Sequence, residues 1–354
     1  MNRARAVHVV VPEGIGDPLR PSGGNTYDRR LCEGLAATGW SVRTREVSGN
    51  WPSAGLQSRT ALTGALDSAP DGSVVLVDGL VASACPEALV PAGRRLRTVV
   101  LMHMPLGAHA DDTCREREAA MVRSTAAVVA TSDWTRRWLL EAYGLHPGRV
   151  HVARPGVDPA TTAAGSADGG NLLTVGAVTP GKGHDLLVAA LARVTDLSWQ
   201  SVCVGSLTRS PAFVASLRLD IHDAGLTDRL LLIGPRTGEE LAATYAAADV
   251  LVHTSRAETY GMVLTEALAH GLPALACDVG GVSEALGLGA DGRPPGVLVP
   301  TGDVDAFAEV VRCWLINASL RRRLRVRAAE RRTGLTGWGE TVDRVARVLE
   351  GVAA

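Results

Sequence analysis

Short apolar runs alternate with amphipathic stretches along almost the whole chain. In the first half the runs are AVHVVVPEG, SVRTREV, SVVLVDG, LRTVVLMHM, AAVVATS and VHVARPGVD. Each is too short for a helix and most are rich in valine, so each predicts a strand. Between several of them lie stretches of helical periodicity, such as TYDRRLCEGLAATG and WTRRWLLEAYGL. The second half repeats the pattern with NLLTVGAV, LSWQSVCVG, RLLLIG, DVLVHTS, LPALACD and GVLVP, each followed by a helical segment. Such alternation predicts α/β domains with mostly parallel sheets covered on both faces. The last pattern, GWGETVDRVARVLEGV, is a helix placed after the strands are exhausted.

A polar break separates the halves. The stretch PGVDPATTAAGSADGG, residues 155–170, is rich in Pro, Gly, Ala, Ser and Thr and reads as a linker. The expected organisation is a Rossmann-like domain over 1–156, a linker over 157–169, a second Rossmann-like domain over 170–335 and a terminal helix over 336–354. A chain of 354 residues suits two such domains. Two doubly wound domains on one linker predict a deep cleft between their carboxyl edges, a usual place for a ligand.

The chemistry concentrates in Ser255 to Glu284, SRAETYGMVLTEALAHGLPALACDVGGVSE. Glu258 falls in the turn after the strand DVLVHTS, and Glu266 lies about one turn inside the helix that follows. Gly271 and Pro273 close that helix. Gly261 lets a ligand approach the backbone, and the first N–H groups of the helix suit an anion such as a diphosphate. Acids beside a phosphate site make sense when they accept from hydroxyls. Glu266 can take both protons of a ribose diol, and Glu258 can do the same for a sugar ring.

This segment resembles the E-x7-E signature of retaining family-4 glycosyltransferases, enzymes of GT-B architecture that use nucleotide-sugar donors. The resemblance implies two Rossmann-like domains facing across a cleft, with the final helix crossing back onto the first domain. It implies Glu258 at the donor sugar and Glu266 at the nucleotide ribose, with Thr259, Tyr260, Gly261, Met262 and Val263 orienting sugar and phosphates. Two further stretches fit it. Gly23-Gly24, in the loop after the first strand, resembles the family's glycine pair near the donor phosphate. TVGAVTPGKGHDLL carries Lys182, the only lysine of the chain, where the family neutralises the leaving diphosphate.

Ala177 departs from the pattern, standing where the family usually has an arginine. Neutralisation then leans on Lys182, on helix termini, or on Arg236 or Arg209, which follow strand ends in the second domain; Arg236 alternatively flanks the nucleotide base. Lys182 is expected to open a helix. His103 closes a buried strand of the first domain and is expected, by the resemblance, as a positioning or hydrogen-bonding group near the donor sugar. His184 is expected on a helix surface. The catalytic set implied by the resemblance is therefore expected to be Glu258, Lys182 and His103.

Composition narrows the partners. A formal net charge of -1 gives no general pull toward nucleic acid or anionic membranes. The run Arg321-Arg322-Arg323 with Arg325 and Arg327 reads as a solvated helix face. No apolar stretch approaches ~18 residues, so no transmembrane segment is expected. The six cysteines form no C-x-x-C pair and read as free thiols of a cytoplasmic protein. Asp111, Asp112 and Asp158 form no metal set, so no metal or other cofactor is expected beyond the donor substrate. Aromatics at 4% offer no platform for a long glycan, which favours a small-molecule acceptor; the donor default is a UDP-sugar. The competing readings are another GT-B nucleotide-sugar enzyme, an epimerase or phosphorylase, and a catalytically weak nucleotide-sugar-binding partner subunit. Oligomeric state is not legible.

Overall fold

A computed structural model describes residues 5–108 and 111–354. The first residues of the N-terminal segment, 1–4, lie outside that range. The chain forms two compact units. The first comprises residues 1–16, 24–156 and 337–354, and the second comprises 17–23 and 157–336.

In the first unit, β1 (Ala6–Pro12), β2 (Ser41–Val47), β3 (Val74–Asp78), β4 (Arg97–Met102), β5 (Ala127–Ala130) and β6 (Val150–Val152) form one parallel sheet. Its order is β2-β1-β3-β4-β5-β6. Side chains alternate between two cores, as the period-2 geometry of a strand requires. Val75, Val77, Val100 and Met102 enter one core, and Leu76, Val99 and Leu101 enter the other. The second core is closed by the final helix, Trp338–Ala353, through Val342, Val345 and Leu349. Those positions recur at three- and four-residue spacing, so one stripe of the helix is apolar.

The second unit holds β7 (Asn171–Val175), β8 (Gln200–Val204), β9 (Leu230–Gly234), β10 (Val250–His253), β11 (Ala274–Asp278) and β12 (Gly296–Pro300), again all parallel. The order is β12-β11-β10-β7-β8-β9. Each sheet therefore has a switch point where successive crossovers run in opposite directions: between β1 and β3 in the first, between β7 and β10 in the second. Loops leaving the two strands of a switch point diverge and leave a crevice at their carboxyl ends.

The stretch 157–169 has little regular structure but is tied down. Asp249, fully buried just ahead of β10, accepts from Ser166 N and Oγ at 2.5 and 2.6 Å, from Asn171 N at 2.9 Å and from Arg325 at 2.7 Å. This corrects the expectation of a solvated arginine face for Arg321 and Arg325, while Arg322 and Arg323 are exposed as expected. Arg321 is buried, donating to the carbonyls of Trp314 and Leu315 at 2.8 and 2.7 Å, which close the preceding helix, Val304–Ile316. A guanidinium with five donors can satisfy the orphan carbonyls of a helix end, and the sequence run does not reveal those acceptors. Among the described residues no helix is long and apolar enough to cross a membrane.

Candidate functional site

The two motifs of the second unit meet at its switch point. Lys182 follows β7 and Glu258 follows β10, strands that pair directly, and Lys182 Nζ lies 2.6 Å from Glu258 Oε2. Lys182 does not open a helix, as the sequence suggests; it ends a single 3-10 turn, Pro180–Lys182. Gly183 then takes a left-handed φ of 67° before the helix His184–Leu191 begins. A side chain at Gly183 would overlap the Thr254 carbonyl oxygen, so glycine lets the β7 loop press against the β10 loop.

The turn bearing Glu258 is built on glycines. Gly261 has a φ of 95° and precedes the helix Met262–Ala269. From the next loop, Gly280 and Gly281 press against this turn, and Gly281 N donates to the Glu258 carbonyl at 3.2 Å. A Cβ on Gly280 would overlap the Glu258 carbonyl oxygen, and one on Gly281 that of Thr259. The pair in DVGGVSE is thus the support of the Glu258 turn. Burial by itself would raise the Glu258 carboxyl. The Lys182 ammonium, with His253 Nε2 at 3.6 Å, reverses this and holds it well below the usual carboxylate range. His253, 3% exposed, is a neighbour of Glu258 that sequence reasoning missed.

Glu266 sits one turn into that helix and accepts from the Tyr245 hydroxyl at 2.7 Å. Tyr245 is buried and stacks on His270, with ring centroids 5.1 Å apart. Burial raises the Glu266 carboxyl and Asp158 adds to this, while the Tyr245 proton works the other way. Tyr245 was also missed, though a lone tyrosine in AATYAAAD is conspicuous in a chain with 4% aromatics.

The remaining expected residues of this unit are distributed differently. Tyr260 is buried in the core with Leu264 and Val282, and Met262 and Val263 pack against that core. Thr259 is half-buried beside Gly281. Arg236 follows the edge strand β9, two strands from β7, and donates to Thr244 Oγ1 at 2.8 Å. His184 is 1% exposed rather than on a helix surface, and its pKa is pushed down to about 4 by burial and by Lys182. The reason is its position: it is the first residue of a helix whose opening turn is clamped under the β10 loop.

In the first unit the switch point holds a second charged cluster. Gly23 opens the helix Gly23–Ala37 and groups with the second unit, whereas Gly24 lies in the first. A Cβ on Gly24 would stand 3.4 Å from the His103 ring. His103, just past β4, places Nε2 2.8 Å from Asp28 Oδ1 and 3.5 Å from Asp78 Oδ2. Asp78 ends β3 and caps the next helix, Gly79–Ala84, accepting from Leu80 N and Val81 N at 2.8 and 3.1 Å. Burial opposes charge on His103, but Asp28 and then Asp78 outweigh it and raise its pKa. Burial and the Asp28 charge push Asp78 up to about 7.

Both aspartates escaped the sequence reading. Asp28 had a signal, because it falls in register with Leu31 and Leu35 on the buried face of its helix. Among the described residues this trio is the set with side-chain atoms close enough to share a cation, all within 4.8 Å. The 2.8 Å contact, however, is an ordinary hydrogen-bond length, so a proton accounts for the geometry.

Residues 166–331 match the family model for glycosyl transferases group 1, and residues 73–161 match that for glycosyltransferase family 4. A D-inositol 3-phosphate glycosyltransferase from Kineococcus radiotolerans is 35% identical over 252 residues, covering 64% of this chain and 57% of the relative. The chain thus spans less than two thirds of the length of the curated relatives it matches. Two solved structures share the GT-B fold. Sucrose-phosphate synthase from Thermosynechococcus elongatus superposes with a TM-score of 0.81 at 21% identity, covering 98% of this chain and 99% of the other. The Anabaena Alr3699/HepE complex with UDP-glucose gives 0.79 at 18% identity, with 98% and 99% covered.

Proposed function

We propose that this chain, a member of the glycosyl transferases group 1 and glycosyltransferase family 4, moves a sugar from a nucleotide-diphosphate sugar to a small hydroxylated acceptor. The observation that carries the reading is the Lys182–Glu258 pair at the β7/β10 switch point, with Glu266 on the helix that follows. A cation for a diphosphate, an acid for sugar hydroxyls and an acid for a ribose diol answer the three groups that a nucleotide sugar presents. Lys182 neutralises the diphosphate, helped by the N–H groups that open Met262–Ala269. Glu258 holds the sugar and Glu266 the ribose. Thr259 and the Gly261-Met262-Val263 backbone orient the sugar and phosphates, while Tyr260 supports them from the core. His103, beside Gly24, is kept as a positioning or hydrogen-bonding group.

The reaction is a substitution at the anomeric carbon with retention. The bond from that carbon to the diphosphate oxygen breaks, a bond to the acceptor oxygen forms on the same face, and the acceptor proton passes to a phosphate oxygen of the leaving group. The protein's part is positioning and charge stabilisation, for which a strong protein base is not required. UDP is the favoured nucleotide, in keeping with the UDP-glucose held by the Anabaena neighbour. A polyol phosphate is the favoured acceptor class, in keeping with the names of the curated relatives. We place the reaction in the cytoplasm, with no metal required.

The test is transfer of labelled sugar from UDP-glucose, UDP-N-acetylglucosamine and GDP-mannose to a panel of inositols and inositol phosphates, with the product anomer read by NMR. A glycosylated product of retained configuration is expected. Nucleotide binding without transfer would favour the partner-subunit reading, for which Ala177 is the supporting observation. Neither binding nor transfer would overturn the proposal.

A further inference from the structure

We propose that Asp28 and Asp78 are positioning residues that keep His103 protonated on both nitrogens, so that its ring donates a hydrogen bond to a ligand oxygen and does not act as a base. The ligand half of this statement rests on the transferase reading; the protonation half does not.

The geometry comes first. Asp28 and Asp78 are 2% and 5% exposed, and both bring a carboxyl oxygen to the same nitrogen, His103 Nε2. Two buried carboxyl groups converging on a neutral ring would leave charge uncompensated in a poorly solvated place, which is costly. An imidazolium compensates one of them. Asp78 has the N–H groups of Leu80 and Val81 for its other oxygen, so it is already partly satisfied. Asp28 has less help: its Oδ2 is buried with no hydrogen-bond partner among the described residues. Its carboxyl therefore depends on His103 for compensation, and the ring depends on it in turn. The first turn of the helix lies directly against the ring, since a Cβ on Gly24 would stand in van der Waals contact with it at 3.4 Å.

Among the described residues, the charges that act on His103 are those of Asp28 and Asp78. The helix Gly23–Ala37 presents Asp28 and the edge of Tyr27, with ring centroids 5.1 Å apart; the end of β3 presents Asp78. Tyr27 donates its hydroxyl to the Ala153 carbonyl at 2.9 Å, and burial pushes its own pKa far up, so it stays neutral. The raised pKa of His103 and the raised Asp78 value agree with a cluster that retains protons near neutrality.

The consequence is chemical. With Nε2 committed to Asp28, the ring meets a ligand through Nδ1. A neutral ring with its proton on Nε2 would accept there; an imidazolium donates. Two acids thus select a partner that offers lone pairs, a phosphate or hydroxyl oxygen.

The decisive experiment is an NMR titration of the full chain carrying ring-labelled histidine, with the His103 signal identified by its loss in His103→Gln. In the wild-type chain the His103 midpoint is expected above the ordinary histidine value of about 6.5. In Asp28→Asn it falls by about one pH unit or more, and in Asp78→Asn by less. A wild-type midpoint at or below about 6.5, the ordinary histidine value, would overturn the proposal even if the variants do not fold. So would one zinc ion per chain that survives dialysis and is lost in Asp28→Asn. Where transfer is measured, the alkaline limb of its pH profile moves to lower pH in Asp28→Asn. Absence of transfer in the wild type would undo the transferase reading and leave the titration result standing.

Discussion

Lys182 and Glu258 are each other's partners: the ammonium lies 2.6 Å from the carboxylate, across two paired strands. The proposed function assigns both groups to one ligand, so on that reading a nucleotide sugar has to share or break this pair on entry. The two residues then predict opposite effects on nucleotide binding. Lys182→Ala removes the cation and is expected to weaken the best-bound nucleoside diphosphate about 10- to 100-fold by calorimetry. Glu258→Gln releases the ammonium to the diphosphate, so affinity for the free nucleotide holds or improves while transfer falls steeply. Equal weakening by both substitutions would contradict the division of labour.

Glu266 and Tyr245 make a second pair whose value is orientation. The tyrosine proton occupies one carboxylate oxygen at 2.7 Å and leaves the other for a ligand diol. Tyr245→Phe is therefore expected to weaken nucleoside diphosphate binding about 3- to 10-fold, and Glu266→Gln more strongly. A 2′-deoxynucleotide provides the control. It should bind the wild type poorly and lose little further affinity in Glu266→Gln. A deoxynucleotide bound as well as the ribonucleotide would remove Glu266 from the ribose.

The glycines of DVGGVSE support the Glu258 turn from below. Gly280 has a φ of 59°, and a Cβ there would run into the Glu258 carbonyl oxygen. Gly280→Ala is expected to cost about 3 kcal/mol in chemical denaturation, from backbone displacement and strain together. Gly292 offers the comparison, with a φ of 73° and open space where a Cβ would go. Gly292→Ala should cost about 1 kcal/mol, the conformational penalty alone. Similar losses at the two positions would mean that the Gly280 contact is readily relieved.

What the sequence made legible follows from which forces act locally. Most of the strands announce themselves because a parallel strand buried on both faces is a continuous apolar run, whereas β2, SVRTREV, is a largely exposed edge strand. The Glu258 turn is readable because strand, glycine and helix follow one another without a break. What stayed hidden is pairing between segments far apart in the chain. Lys182 reads as a helix opener until Gly183 is seen to fold its loop under the β10 loop. Asp249 is a strand-edge acid in sequence and, in the fold, the anchor for Ser166 and Arg325. Asp28 was within reach of a stricter reading, since an acid in register with Leu31 and Leu35 has no reason to be on an apolar face unless it has a buried partner. The order of the strands, which creates the switch points, is not encoded in any local pattern.

The same tertiary clamp predicts how stability depends on pH. His184 is buried, and neither ring nitrogen has a partner among the described residues. Burial and the neighbouring Lys182 push its pKa down to about 4, against about 6.5 in the unfolded chain. The folded chain therefore holds this ring neutral where the unfolded chain would protonate it. Above pH 6.5 neither state binds the proton and the residue costs nothing through linkage. Between about 6.5 and 4 the unfolded state binds it, so stability falls as the pH falls, by about 3 kcal/mol at the full extent. Glu258, whose carboxyl is held low, acts in the same direction but at a lower pH, below the ordinary carboxylate value. The two can be told apart by substitution. His184→Leu should flatten the loss between pH 6.5 and 4.5 in urea denaturation and leave the steeper acid loss below that in place. A wild-type slope that survives His184→Leu unchanged would assign the neutral-to-acid sensitivity to another histidine.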